Sequence, residues 1–211
     1  MTKERPILFS APMVLAILDG RKTQTRRIAK VTSDGCKEGF ITPLAGFVPR
    51  SIENHFSYCP YGKPGERLWV RETWSKAKSS ASQDIFYRAD GETNGKQYAL
   101  SFVERESKWR PSIHMPRSAS RILLEITGVR VERLQDISED DAIAEGVYEG
   151  GKVCICETPL DFVRSCGNCG GRLIDAVDMY KQIWQSLNGI GSWDLNQWVW
   201  VVEFKVLETG K

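Results

Sequence analysis

The sequence Gly20-Arg21-Lys22-Thr23-Gln24-Thr25-Arg26-Arg27 places four cations and two hydroxyls directly behind an apolar run at residues 11–18. The apolar residues of that run recur at helical spacing, Ser10 is a suitable N-cap, and Pro12 suits the first turn. Gly20 tolerates the left-handed conformation that commonly ends a helix. The pattern predicts a helix over 11–18 that stops at Gly20 and presents its C-terminal end to the cationic octapeptide.

The octapeptide itself is predicted to be extended. Alternation along an extended chain would put Lys22, Gln24 and Arg26 on one face, with Thr23 and Thr25 on the other. A local turn or bulge would instead bring Lys22 and Thr25 together. A third interpretation treats the cations as solvated charges that simply follow a helix.

Length and composition limit the class of protein. The chain has 211 residues, of which 41% are hydrophobic and 10% aromatic, and this fits one folded domain over 1–211 and excludes a disordered chain. No apolar run approaches the roughly 18 residues of a membrane span, and the first residues lack a signal-peptide core. We therefore expect a cytoplasmic protein without a membrane partner.

The charge is balanced overall but unevenly distributed. With 29 basic and 27 acidic residues the net charge is +2, so the overall charge does not indicate nucleic-acid binding. Cations cluster in the octapeptide and again at Arg110, Arg117 and Arg121, whereas acidic residues concentrate over 132–149. Any recognition of an anionic partner is therefore expected to be local.

The run Arg67-Leu68-Trp69-Val70-Arg71-Glu72-Thr73-Trp74 alternates like a strand with one strongly polar position on each face. An arginine beside a glutamate is commonly a surface pair, but the flanking tryptophans indicate partial burial. Because a buried charge needs a partner, we expect partners for both Arg71 and Glu72.

The segment Trp109-Arg110-Pro111-Ser112-Ile113-His114-Met115-Pro116-Arg117 cannot be regular, since its two prolines exclude a central strand or a helix interior. Loops on a rigid scaffold often carry function, so Trp109, His114 and Arg117 are candidate site residues. The alternative is a crossover loop whose Trp109 and Met115 plug the end of a barrel.

A strand is predicted over 120–131, followed by a helix over 137–147. Ser138 suits the N-cap of that helix, acidic residues fill its first turn, and Gly146 ends it. Glu145 then lies in the last turn, where the helix dipole disfavours a carboxylate. A glutamate in this position is expected to have a cationic partner.

Four cysteines interrupt the chain in an insertion over 150–172. Their C-x-C and C-x-x-C spacing offers four thiolates, enough for a tetrahedral zinc ion. Such a zinc would be structural, since no position would stay open for water. The predicted ligands are Cys154, Cys156, Cys166 and Cys169; free thiols or a redox pair are the alternatives.

An amphipathic helix over 174–187 and a tryptophan-rich strand over 198–206 complete the pattern. Together, five or six strands with interspersed helices predict an α+β chain. Closing such a sheet into a barrel would bury its two-faced strands and remove its edges.

The octapeptide resembles the G-x-K-x-x-E-x-R signature of the ASCH family, a PUA-like group of small β-barrels, with Thr25 in place of the signature glutamate. Residues 64–72 resemble the P-G-D-x-L-W-V-R-E strand of phage and prophage ASCH-like proteins, and 109–117 resemble their W-x-P-S-I-H-M-P-R segment. The resemblance covers residues 6–206, with gaps at 33–57, 76–108 and 150–172. It implies an α+β, PUA-like (ASCH) mixed β-barrel with flanking helices and the cysteine-rich insertion.

Thr25 makes the octapeptide similar to that of bacterial ASCH amidohydrolases that act on N4-acetylcytidine, which use a lysine, a threonine and a distant glutamate. In the family, an acidic turn and an A-x-x-E-G helix lie across the barrel mouth, and Glu145 matches that glutamate. The resemblance implies that Lys22 is a base that activates Thr25, or a water held by it, while Glu145 orients Lys22 or shuttles a proton. The implied substrate-binding residues are Arg26, Trp69, Arg71, Glu72, Trp109, His114 and Arg117.

Several functions agree with this resemblance. The first is recognition of RNA or of a modified nucleoside in a basic pocket, with hydrolysis of an N-acyl group as a specific version. A ribonuclease is the second. A non-catalytic, phage-encoded interaction protein that acts on a host system is the third.

Overall fold

The computed structural model describes residues 2–31, 40–41, 59–76, 85–91, 108–147 and 175–210. These residues form a mixed α+β fold, as the sequence predicts. Besides a single helical turn at Arg88–Gly91, they include three helices: α1 (Ala11–Leu18), α2 (Glu139–Ala144) and α3 (Ala176–Asn188). The strands in the same residues are β1 (Glu4–Leu8), β2 (Gln24–Ile28), β3 (Lys30–Val31), β4 (Phe40–Ile41), β5 (Arg67–Arg71), β6 (Trp74–Lys76), β7 (Ile85–Tyr87), β8 (Ile122–Arg133) and β9 (Trp198–Thr209).

Five strands form the largest sheet, in the order β1-β5-β8-β9-β2. β1 runs parallel to β5, and β5 runs antiparallel to β8 with Leu68 opposite Leu124. Two smaller sheets pair β3 with β4 and β6 with β7. Among the strands described, no pairing closes the large sheet, so the barrel that the resemblance implies is not confirmed.

The chain divides into two compact units. Unit 1 comprises Met1–Gly20, Cys59–Val129 and Glu203–Lys211, and unit 2 comprises Arg21–Tyr58 and Arg130–Val202. The strands β8 and β9 therefore contribute residues to both units. The single domain over 1–211 stays a prediction.

Unit 1 contains the irregular segment at 109–117, as the two prolines predict. It forms short 3-10 turns at Ser112–His114 and Arg117–Ala119. Between them Met115 is fully buried and packs in a cluster with Trp74 and Ala119. Met115 therefore fills a core, whereas the plugging of a barrel end by Trp109 and Met115 stays a prediction.

Unit 2 has its own core, into which α3 buries Tyr180 and Trp184 beside Val199 and Val201 of β9. The amphipathic prediction for this helix is confirmed over most of its length. Leu187 is an apolar residue of this helix that does not enter the core, since it is 58% exposed. That residue lies in the last turn, where the helix ends at Gly189 with a positive φ.

The predicted ends of α1 and α2 are confirmed by backbone geometry. Gly20 follows α1 with a φ of +75°, the left-handed conformation that glycine favours. Ser138 caps α2, its Oγ accepting a hydrogen bond of 3.1 Å from the Asp141 N–H. Ser10 occupies the N-cap position of α1, but its side chain makes no capping hydrogen bond.

Some predictions concern segments that the structure does not describe. The cysteine insertion over 150–172 lies outside the described residues. Within the described residues, no helix is long and apolar enough to cross a membrane.

Candidate functional site

The centre of unit 2 holds a buried ion pair between Lys22 and Glu145. The Lys22 Nζ donates to Glu145 Oε2 at 2.7 Å and to the Glu145 backbone carbonyl, also at 2.7 Å. The two residues are only 2% and 4% exposed, although they are 123 positions apart in the chain. The cationic partner predicted for Glu145 is therefore Lys22.

Backbone contacts explain why this pair forms. Lys22 and Glu145 form an isolated antiparallel bridge, and Thr23 N–H donates to the Ala144 carbonyl at 2.9 Å. Glu145 is the C-cap of α2, where unpaired carbonyls and the helix dipole attract a cation. The Lys22 ammonium therefore compensates both the helix end and the carboxylate that the dipole disfavours.

Arg26 lies four residues beyond Lys22 in the sequence. It contacts three carboxylates. Its Nη1 donates to Glu145 Oε1 at 3.2 Å, and its Nη2 donates to Asp141 Oδ2 at 2.9 Å. Its Nε donates to Glu132 Oε1 at 3.0 Å, and the side chain is fully buried. Each carboxylate oxygen of Glu145 thus has a different cation, Arg26 on Oε1 and Lys22 on Oε2.

Two further residues complete what we call the charge network. Gln24 donates through Nε2 to the backbone carbonyl of Asp141 at 2.8 Å. Arg130 contacts both Glu132, at 2.9 Å, and Asp141, at 2.8 Å. The network contains three cations and three carboxylates, so its charge is balanced when all are ionised. Its members are Lys22, Gln24, Arg26, Arg130, Glu132, Asp141 and Glu145.

The network shifts the ionisation of its members. Burial lowers the pKa of Lys22 below its ordinary value, although Glu145 opposes this shift. Burial alone would also lower the pKa of Arg26, but Glu145 and Glu132 raise it, so this cation stays charged. Burial, and then the charge of Glu145, raises the pKa of the Tyr180 hydroxyl well above its usual range. Of the cations in the network, Lys22 is the one suited to act as a base.

Thr25 is also buried, at 1% exposure, within β2. Gln24 and Arg26 both point toward Asp141, as the predicted alternation requires. Because successive side chains of a strand point to opposite faces, Thr25 points away from the charge network. The structure thus brings Lys22, Arg26 and Glu145 together and leaves Thr25 on the other face of the strand.

The predicted site residues of β5 and its C-terminal flank lie in unit 1. Glu72 is buried and accepts two hydrogen bonds from Arg121, at 2.9 and 3.0 Å. Burial raises the pKa of Glu72, and the Arg121 charge only partly offsets this. Arg71 lies with its guanidinium 4.6 Å from the ring of buried Trp69. The partner of Glu72 is therefore Arg121 and not its neighbour in sequence.

The three candidates from the irregular segment have separate surroundings in unit 1. Trp109 is partly buried, whereas His114 is exposed in its 3-10 turn. Arg117 forms a surface pair with Glu4 at 2.8 Å, with 44% of its side chain exposed. No contact among the described residues joins these three side chains into one cluster.

The predicted zinc ligands cannot be placed, since Cys154, Cys156, Cys166 and Cys169 lie outside the described residues. Among the residues that are described, no group of three or more His, Cys, Asp or Glu side chains could hold a metal ion. The chemistry of four cysteine sulfurs fits zinc, so zinc stays a prediction for the insertion.

Sequence reasoning missed three charged members of the network: Arg130, Glu132 and Asp141. Arg130 and Glu132 alternate on β8 and therefore share a face, and Asp141 precedes Glu145 by one helical turn. These spacings are visible in the sequence. What the sequence does not indicate is that the Arg26 side chain of β2 reaches carboxylates on both elements.

The fold and the site define a mixed α+β protein with a buried, charge-balanced network around a lysine–glutamate pair. Comparison with known proteins found no matching family model, curated protein or solved structure. The functional argument therefore rests on the residues of this chain and on their geometry.

Proposed function

We propose that this chain is an ASCH-type, PUA-like protein that recognises a modified nucleoside, with Lys22 and Glu145 at the polar end of the site. The observation that carries this proposal is the 2.7 Å contact between these two residues, which the resemblance selects independently as catalytic positions. The barrel and the family membership are parts of the same proposal.

The burial of the network favours a small ligand, rather than a nucleic-acid strand, as the bound partner. Phosphate recognition along a strand uses exposed lysines and arginines that are available to replace counterions. Here Lys22 and Arg26 are buried and already face carboxylates. A network of this kind is suited to a compact polar group, such as the amide of an N-acylated base, in a site of low dielectric.

In the proposed reaction, Lys22 acts in its deprotonated form, and its amine takes a proton from water as the water oxygen attacks the acyl carbon. The proton then passes to the departing nitrogen of the base, which releases a carboxylic acid and the free amine. Glu145 holds the Lys22 Nζ through Oε2 while Arg26 fixes Oε1. The direction of Thr25 favours water over its hydroxyl as the nucleophile.

The test is chromatography of N4-acetylcytidine after incubation with wild type and with three variants. We expect conversion to cytidine by the wild type and by Thr25→Val, and a loss of turnover of about a hundredfold or more in Lys22→Met and Glu145→Gln. Circular dichroism and urea unfolding identify any variant that has lost its fold. The double variant Lys22→Met/Glu145→Gln removes both charges and serves as a folded, inactive control.

Each other outcome has a definite meaning. No conversion by the wild type would overturn the hydrolase, and calorimetry with the same nucleoside would then test recognition alone. Loss of turnover in a folded Thr25→Val protein would make Thr25 the nucleophile, contrary to the geometry. Shortening of an RNA in a parallel incubation would favour the ribonuclease.

A further inference from the structure

Arg71 in unit 1 has a buried polar atom that the fold leaves without a partner. Its Nε is inaccessible to solvent and has no hydrogen-bond acceptor among the described residues. Most buried polar atoms in proteins are paired, so an unpaired charged donor in a strand requires an explanation. The residue as a whole is partly exposed.

The guanidinium of Arg71 is held in place by its surroundings. The residue ends β5, where its backbone lies opposite Leu8 of β1 and its carbonyl accepts from Phe9 N–H at 3.1 Å. Trp69 lies two positions earlier on the same face, and the cation lies over its ring at 4.6 Å. A donor fixed in this way loses little conformational freedom when it binds a ligand.

The adjacent carboxylate does not neutralise Arg71. Glu72 follows the last residue of β5, and Arg121 donates to both of its oxygens. The described residues of unit 1 carry twelve lysines and arginines against eight aspartates and glutamates. Arg71 thus has a fixed orientation in a unit whose described residues carry more cations than carboxylates.

We propose that Arg71 is an oxyanion-binding residue, which holds a phosphate or carboxylate group by its Nε–H and an adjacent Nη–H. This side-on pair of donors matches two oxygens of one anion, which a lysine cannot reproduce. The cation–π contact with the Trp69 ring then orients the guanidinium. It does not stack on a base through the ring face that Arg71 covers. This site is independent of the reaction proposed for Lys22.

The test is a titration of protein labelled with 15N-arginine, followed through the Nε–H resonance of Arg71. The probes are inorganic phosphate, acetate and cytidine 5′-monophosphate, each compared with sodium chloride at the same ionic strength. Arg71→Lys is the test variant, and its binding is measured by calorimetry. Arg67→Lys is the matched control, because Arg67 lies on the same face of β5 but opposite Glu125.

We expect a saturable shift of the Arg71 resonance with phosphate or acetate. Arg71→Lys should bind at least about tenfold more weakly, and Arg67→Lys should bind as the wild type does. Tighter binding of the nucleotide than of phosphate would assign the anion to a nucleotide, whereas equal binding would assign it to the free ion. If no probe shifts the resonance more than chloride does, the proposal is overturned. This titration needs only the wild type, so it decides the question even if Arg71→Lys fails to fold.

Discussion

Arg26 presents one fully buried guanidinium to three carboxylates, and Arg130 contacts two of the same carboxylates from a more exposed position. A buried ion pair often adds little net stability, because desolvation offsets the attraction. Removing one partner is different, since it leaves charges buried without compensation. The two arginines therefore provide a matched comparison.

We predict that Arg26→Gln lowers the free energy of unfolding by about 3–5 kcal/mol, the range expected when a buried charge loses its partner. Arg130→Gln should cost about 1 kcal/mol or less, because its side chain is 31% exposed and Arg26 still faces Glu132 and Asp141. Urea unfolding of both variants measures the difference. Equal losses would mean that burial does not govern the strength of this network.

The ionisation of Asp141 should make stability depend on pH. Burial alone would raise its pKa, but the hydrogen bond from Gln24 and the charges of Arg26 and Arg130 lower it below its usual value. A carboxyl with a lowered pKa in the folded state contributes stability above its unfolded pKa of about 3.9, and that contribution is lost as the pH falls through the folded value.

We therefore expect Asp141→Asn to be less stable than wild type at neutral pH, with a gap that narrows as the pH falls below about 4. Urea unfolding at several pH values measures the gap. Asp140→Asn, at the exposed neighbouring position in the same helical turn, controls for the loss of one negative charge from α2. A gap that stays constant down to about pH 2 would contradict the coupling to Arg26 and Arg130.

At the scale of elements, α2 is a short helix with a large role in placing the site. It spans only Glu139–Ala144, yet it supplies Asp141 from its first turn and Glu145 as its C-cap. A helix this short is not stable alone in water, so its ends must be held by local hydrogen bonds and packing. Ser138 holds the first turn, and Lys22 holds the last carbonyl.

The two N-cap serines provide a test of this role. We predict that Ser138→Ala lowers the free energy of unfolding by about 1 kcal/mol, because its Oγ accepts from the Asp141 N–H. Ser10→Ala should change stability by a few tenths of a kcal/mol at most, because Ser10 makes no side-chain cap to α1. Urea unfolding compares the two variants. A larger loss at Ser10 would contradict the assignment of the cap.

At the scale of the whole molecule, the charge distribution limits the partners. The net charge is +2, and two of the four cations of the octapeptide, Lys22 and Arg26, are buried in ion pairs. Cations that already face carboxylates release few counterions on binding a strand of nucleic acid. These buried ion pairs support the proposal of a small ligand over that of a polyanion.

This distribution predicts a weak salt dependence for any RNA affinity. In fluorescence anisotropy with a short single-stranded RNA, the slope of log affinity against log salt should be shallower than about −1.4, the value for two neutralised phosphates. Tight RNA binding with a much steeper slope would show that a basic surface binds the strand, contrary to the small-ligand proposal.

The sequence determined the local features of this protein. The helix over 11–18, its end at Gly20, the Ser138 cap and the strand that ends at Arg71 all follow from spacing and from the conformational preferences of single residues. These features depend on neighbours within one or two turns of chain, and such neighbours are visible in the sequence. The need for a cation at Glu145 was likewise predictable from the helix dipole.

Only the tertiary structure decided which charges meet. The paired residues are far apart in the sequence. Lys22 and Glu145 are separated by 123 positions, Arg26 and Glu132 by 106 positions, and Arg121 and Glu72 by 49 positions. The tertiary structure also directs the Thr25 side chain away from Lys22 and places Arg117 in a surface ion pair. Ion pairs have no sequence period, and their partners are fixed by which strands and helices lie side by side. For that physical reason the octapeptide indicated a site, while the long-range contacts of Lys22 and Arg26 determined its members.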